Sequence, residues 1–113
     1  MRVTKVGETY KASRITGPKH NYLGMVVSLN IPEEMVVVAR TLKEEEAVID
    51  ESRLVTAVQA GIEKANRAQE RKLYAQSVEY VRSDTPDYQA YCDLASAIMA
   101  AAASDIGKGD RTR

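Results

Sequence analysis

An α+β fold of two layers is what this chain predicts, and three patterns carry the prediction. Strand-like runs fill the first third, two amphipathic stretches at helical spacing fill most of the remainder, and one further strand-like run separates them. Written in order, the elements are β-β-β-α-β-α. They specify a two-layer sandwich, a mixed four-stranded sheet with both helices on one face. A single domain suffices, since 113 residues can close a modest core without staples. Hydrophobic content of 44% and charged content of 28% suit an ordinary globular domain. Phe and Trp are absent, so the core must be aliphatic, with Met and the six Tyr supplying bulk.

Residues 3–12 have mixed β character with imperfect alternation, which reads as an edge strand. Residues 14–21 form a polar loop dense in donors. Residues 22–31 then alternate cleanly, with Met25, Val27 and Leu29 on one face and Val26, Ser28 and Asn30 on the other. Pro32-Glu33-Glu34 breaks that strand, because proline lacks the N–H a ladder needs. Residues 35–42 are again β-rich and are expected to pair with 22–31 as a hairpin. Residues 43–46 are a charged connector with a solvated face.

Asp50 or Ser52 can cap a helix running to about Arg71 or Lys72, with Leu54, Val55, Val58, Ile62 and Ala65 on one face. Acidic Asp50 and Glu51 near its start and basic Arg67, Arg71 and Lys72 near its end match the helix dipole. Gly61 costs this helix about 1 kcal/mol relative to Ala, which close contact with the sheet would explain. Residues 74–82 read as the next strand, with Gln76, Val78, Tyr80 and Arg82 on one side. Asp84-Thr85-Pro86 starts a second helix, capped by Asp84 or Thr85. Its stripe is Tyr91, Leu94, Ala95, Ile98, Met99 and Ala102, and Gly107 is expected to stop it. The domain is therefore 1–106, with 107–113 a flexible C-terminal tail.

Composition excludes more than it selects. Lys+Arg and Asp+Glu are both 16, and zero net charge argues against coating nucleic acid by charge alone. No run approaches a membrane span or a signal-peptide core. One cysteine cannot form an internal disulfide, so a reducing, cytoplasmic setting is expected. His20 and Cys92 are each the only residue of their type, too few for a structural zinc site. Cys92 lies beside an apolar stripe and reads as an inert thiol. No Walker-type phosphate loop occurs, and Glu44-Glu45-Glu46 is a charge run rather than a catalytic pair. No cofactor, no metal and no enzymatic activity are expected.

The candidate binding residues are Arg14, Lys19, His20, Asn21 and Arg82. If strand 74–82 ends near the first loop, Arg82 and the Asp84-Thr85-Pro86 turn approach Lys19 and His20. The result would be a small basic knob able to hold phosphate and position RNA without reading bases. The competing reading is that exposed loops carry charge for solubility.

Arg14, Thr16, Gly17, Asn21, Tyr22 and Val26-Val27 follow the course of an Arg-x-Ser/Thr-Gly-Gly strand end and a Gly-Gln-Tyr-Gly-like turn, with one extra loop residue. Val48-Ile49, Ala57-Val58 and Gly61-Ile62 match a Val-Ile-Pro segment and an Ala-Val-x-x-Gly helix. Tyr74 and Ala90-Tyr91 with Leu94-Ala95 complete the set. In these residues the chain resembles the fourth domain of the translation elongation factor G family, over residues 10–103. The resemblance implies a domain that reaches ribosomal or structured RNA through two tip loops, here 14–21 and 82–87. Pro18 replaces the second glycine of the pair, and the second loop lacks the family's tip histidine. No nucleotide-binding motif is present, so GTP-driven translocation is not implied. The expected function is a non-enzymatic RNA- or ribosome-associated domain. The alternative is an oligomeric protein-interaction module of the same fold, a homo-oligomer packed through the Ala-rich stretch 100–103.

Overall fold

The computed structural model describes the backbone of residues 2–40 and 47–111, and side chains within those spans up to Ile106. It shows an α+β domain with a five-stranded mixed sheet rather than a four-stranded one. The strands are β1 (Val3–Val6), β2 (Thr9–Thr16), β3 (Lys19–Ser28), β4 (Val36–Arg40) and β5 (Tyr74–Val81). The helices are α1 (Glu51–Gln69) and α2 (Tyr88–Arg111). Strand order is β1-β2-β3-β5-β4. The charged connector 43–46 and the end of the third expected strand, 41–42, lie outside the described residues.

Three expectations about the strands are corrected. The run 3–12 is a hairpin, not one edge strand. Gly7, at φ +62°, reverses the chain between β1 and β2 at no Cβ cost. The run 14–21 is mostly strand, because β2 continues to Thr16 and β3 begins at Lys19 around a Gly17-Pro18 turn. Its polar composition reflects an exposed hairpin end rather than irregular backbone. Residues 22–31 and 35–42 do not pair with each other. β5 lies between them, antiparallel to β3 and parallel to β4. Parallel neighbours need a crossover of a dozen or more residues, and α1 supplies it between β4 and β5.

The register separates the faces. Tyr10, Met25, Val78 and Val37 form one row, and Ala12, Leu23, Tyr80 and Ala39 the next. Tyr10, Ala12, Leu23, Met25, Val78 and Tyr80 are buried, packed with both helices in one core. The opposite rows are Val6, Thr9, Val26, Ser77 and Val36, and Thr4, Lys11, Gly24, Glu79 and Val38. There Val6, Val36 and Val38 are exposed. Both helices therefore cover one side of the sheet, and the other side is bare among the described residues.

Asp50 is the cap of α1, its carboxylate accepting from the N–H groups of Ser52 and Arg53. The helix ends where Glu70 turns left-handed at φ 51° and the Arg71 N–H reaches back to the Asn66 carbonyl. Gly61 is explained by the other helix, not by the sheet. A Cβ there would strike the Cys92 carbonyl oxygen and lie 2.9 Å from the Ala95 Cβ. α2 starts later than expected, at Tyr88, with Asp87 accepting from the Ala90 N–H. Asp84 cannot cap it, because its carboxylate is spent on β3 as described below. The helix also continues through Gly107 and Gly109 to Arg111, at a cost of about 1 kcal/mol for each glycine.

Candidate functional site

The β2–β3 hairpin pairs Arg14 with Asn21, Ile15 with His20 and Thr16 with Lys19. Beside it lies the turn that leaves β5. The β3–β5 ladder ends at Leu23 and Tyr80, so the backbone of His20 and Tyr22 must find other partners. The turn supplies them. The Tyr22 N–H donates to Asp84 Oδ2 at 2.8 Å, the Thr85 N–H to the His20 carbonyl at 3.0 Å, and the His20 N–H to Thr85 Oγ1 at 3.2 Å. The Asn21 side-chain amide donates to the Thr85 carbonyl at 2.7 Å, and His20 Nδ1 lies 3.0 Å from Asp84 Oδ1. The two segments expected to meet therefore do meet.

What they form is not a basic knob. Lys19 Nζ is 3.7 Å from Asp87, and Arg14 Nη1 is 3.3 Å from Asp93 on α2. Two permanent cations thus face three aspartates, Asp84 included, and the surface carries no excess positive charge. Asn21 is 1% exposed. Its amide belongs to the fold and is not displayed to a ligand. Lys19 and His20 remain at the surface, their side chains 56% and 52% exposed.

Arg82 is held on the other flank. Its N–H donates to the Arg40 carbonyl of β4, and its carbonyl accepts from Val48 and Ile49. Its charge acts on the Tyr80 hydroxyl, which donates to Glu51 at the start of α1. Its described contacts are those with Arg40, Val48, Ile49 and Tyr80, and no described hydrogen bond or ion pair joins it to residues 14–21.

Below the tip, the Tyr91 hydroxyl is buried without a well-formed hydrogen bond. Burial pushes it above the usual phenol range, while the nearby Asn21 side chain opposes the shift. On the bare side of the sheet, Tyr22 and Arg40 both donate to Glu79 Oε1 at 3.1 Å. Burial first, and the Glu79 carboxylate second, raise the Tyr22 hydroxyl to about 12. A shallow cleft of about 360 Å³ opens between the N-terminal halves of the helices, with Arg53 stacked 4.5 Å over the Tyr88 ring and half-buried Cys92 on its wall. His20 is not among its lining residues.

No family model matches the chain, and no curated protein matches it either. The site must be read from its own geometry. Among the described residues, no group of three or more His, Cys, Asp or Glu side chains is placed to hold a metal ion, and no helix is long and apolar enough to cross a membrane. Asp84, Thr85, Asp87 and Asp93 are the residues that sequence reasoning missed. Asp84 and Thr85 stood in view as helix-start residues, which masked their role as partners of the hairpin, and Asp87 and Asp93 had been given no role.

Proposed function

We propose that this chain is a non-enzymatic protein-interaction module, similar in fold to the fourth domain of elongation factor G, that binds through the bare side of its sheet and the β4 border. The run β2-β3-β4-α1-β5-α2 supports the fold half of that reading, because it repeats the order of elements on which the resemblance rests. One observation carries the binding half. Charge at the tip is balanced locally, while Val6, Ile15, Val36 and Val38 stand 61%, 70%, 55% and 45% exposed. All four lie on one side of the sheet by register. Of these, Val36 and Val38 stand together on β4, and adjoining exposed apolar groups at a sheet border mark contact surfaces for protein more than for phosphate.

The second reading is RNA contact through Arg14, Lys19 and His20, favoured by the exposure of Lys19 and His20 noted above. Fluorescence anisotropy with a structured RNA and with ribosomes, repeated from about 50 to 200 mM salt, separates the two. The module reading expects no saturable binding at any salt. Binding that weakens steeply with salt, and that Lys19→Ala reduces, would replace it with the RNA reading.

A further inference from the structure

We infer that the partner at this border is a second copy of the same chain, joined by antiparallel pairing of β4 with β4 about a two-fold axis at Val38. The inference rests on the module reading and names its partner.

Backbone hydrogen bonding decides which groups of β4 are open to a partner. The Arg40 carbonyl accepts from the Arg82 N–H, so Arg40 turns its backbone groups toward β5. In a parallel ladder the direction alternates. Val36, Val38 and Arg40 therefore bond to β5, and Val37 and Ala39 turn their N–H and C=O groups outward. No described residue pairs with β4 on that side, since β4 ends the sheet order.

A free border is a template for another strand unless it is guarded. The border at β1 is guarded, with Lys5 inside the strand and Arg2 just ahead of it. β4 reads Val-Val-Val-Ala-Arg, with no charge or proline until its last residue. Self-pairing about Val38 sets Val37 opposite Ala39 of the second copy. Both are outward-facing residues, so each can exchange both of its bonds with its counterpart. Val38 then faces its own symmetry mate on the bare side of the sheet. Other registers leave at least one outward residue of β4 without a β4 counterpart.

Charge agrees with this direction. Glu33 and Glu34 precede β4 in an exposed bend, and Arg40 closes the strand. Antiparallel pairing keeps the Glu33–Glu34 end of one copy away from that of the other, whereas parallel pairing would set like charges together; Arg40 itself already reaches Glu79 of its own sheet at 3.1 Å. Zero formal net charge adds no long-range repulsion between copies. The contact is self-complementary, as a two-fold dimer requires. It is also short, so the dimer should be weak and reversible.

Sedimentation velocity on the full chain across a wide concentration range tests the idea, with circular dichroism confirming that each variant is folded. The wild-type chain should show a reversible monomer–dimer equilibrium. Ala39→Pro removes an outward donor from each copy while leaving the bonds to β5 intact, and should weaken association about thirty-fold. Glu63→Gln, on the exposed face of α1 away from the bare side of the sheet, should leave it unchanged. Disulfide trapping in a Cys92→Ser background fixes the register independently of folding effects. Val38→Cys should crosslink, because the symmetry mates lie about 4.5 Å apart at the Cα atoms. Val36→Cys should not, because its mates are offset by about 13 Å along the strand.

A chain that stays monomeric at the highest concentration overturns the inference, as does a dimer unaffected by Ala39→Pro. If association survives Ala39→Pro but is lost in Val6→Lys, the copies meet face to face. The module reading then stands while the border pairing falls. RNA binding in the salt series would instead remove the module reading, whatever the oligomeric state.

Discussion

The two sides of this sheet are finished to different degrees. On the side that carries the helices, and at the tip joined to it, space is filled and nearly every polar group has a partner. Gly61 lets α1 lie directly on the Cys92 backbone, and Asp84 uses both carboxylate oxygens on β3. On the other side, valines stand in solvent and the outward backbone of β4 meets no described strand. Burial of a Val, Leu or Ile side chain contributes about 1.5–3 kcal/mol, so the filled side holds the fold together. The unfinished side contributes less to the monomer and is free to contribute to a contact. If that division is correct, the cost of a substitution should fall steadily from the first side to the second.

Gly61→Ala should cost the most. Helix propensity alone would make it stabilising by about 1 kcal/mol. The added methyl would enter the Cys92 carbonyl and crowd the Ala95 side chain, and backbone cannot rotate away as a side-chain tip can. Overpacking of this kind costs about 3 kcal/mol and moves the helices apart. Chemical denaturation should therefore show net destabilisation of about 2 kcal/mol or more. A more stable variant would mean that the helices are not in this contact.

Asp84→Ala should come next, at about 2 kcal/mol, because it leaves the Tyr22 N–H and the His20 imidazole without their acceptor. Asp84→Asn keeps one acceptor oxygen and should lose roughly half as much. Equal losses would show that the carboxylate's charge, not its hydrogen bonds, secures the tip.

Alkaline pH probes tyrosines on both sides, Tyr10 and Tyr80 on the filled side and Tyr22 on the bare one. Tyr10 and Tyr80 are raised to about 12, first by burial and then by hydrogen bonds to Asp105 and Glu51, and Tyr22 is raised to about 12 as well. Their protonated forms are favoured by folding. The stability they contribute is fully present below pH 10, the usual phenol value, and is lost as pH rises toward 12. Phenolate absorbance from these residues should appear late and together with loss of helical circular dichroism. Ionisation near pH 10 in a still-folded chain would contradict the burial.

Much of the filled side was legible in the sequence. Leu54, Val58, Ile62 and Ala65, and Tyr91, Leu94, Ile98 and Met99, recur at helical spacing and are the residues buried, while Asp50 was one of two candidate caps. Strand pairing was not legible. Which strand neighbours β4 depends on where α1 returns the chain, and nothing local to residues 35–42 encodes that. The hairpin at Gly7 was hidden in a run of mixed β character, and β2 and β3 were hidden at Arg14–Asn21 by polar side chains that belong to exposed strands. The meeting of Lys19 and His20 with the turn after β5 was anticipated. Its chemistry was not, because Asp84 carried a sufficient explanation as a helix-start residue, and Asp87 and Asp93 sat unmarked beside the stripe. The backbone partners of Arg82, which are Arg40, Val48 and Ile49, were not legible for the same nonlocal reason as the neighbour of β4.

The smallest effects separate the two sides most finely, because they come from adjacent residues. Val37 and Val38 have the same side chain and sit on the same border strand, but Val37 shares a row with Met25 and Val78 and packs against the core, whereas Val38 shares one with Lys11 and Glu79. Val37→Lys must pull a charge or its stem across the edge of the core and should cost about 1–2 kcal/mol. Val38→Lys adds a charge where solvent already reaches and should change monomer stability by no more than about 0.5 kcal/mol. Measured by denaturation at a concentration too low for association, the pair reads out which way β4 faces. Equal costs would mean that both sides of the border are covered, and then the valines on the bare side would have no contact left to make.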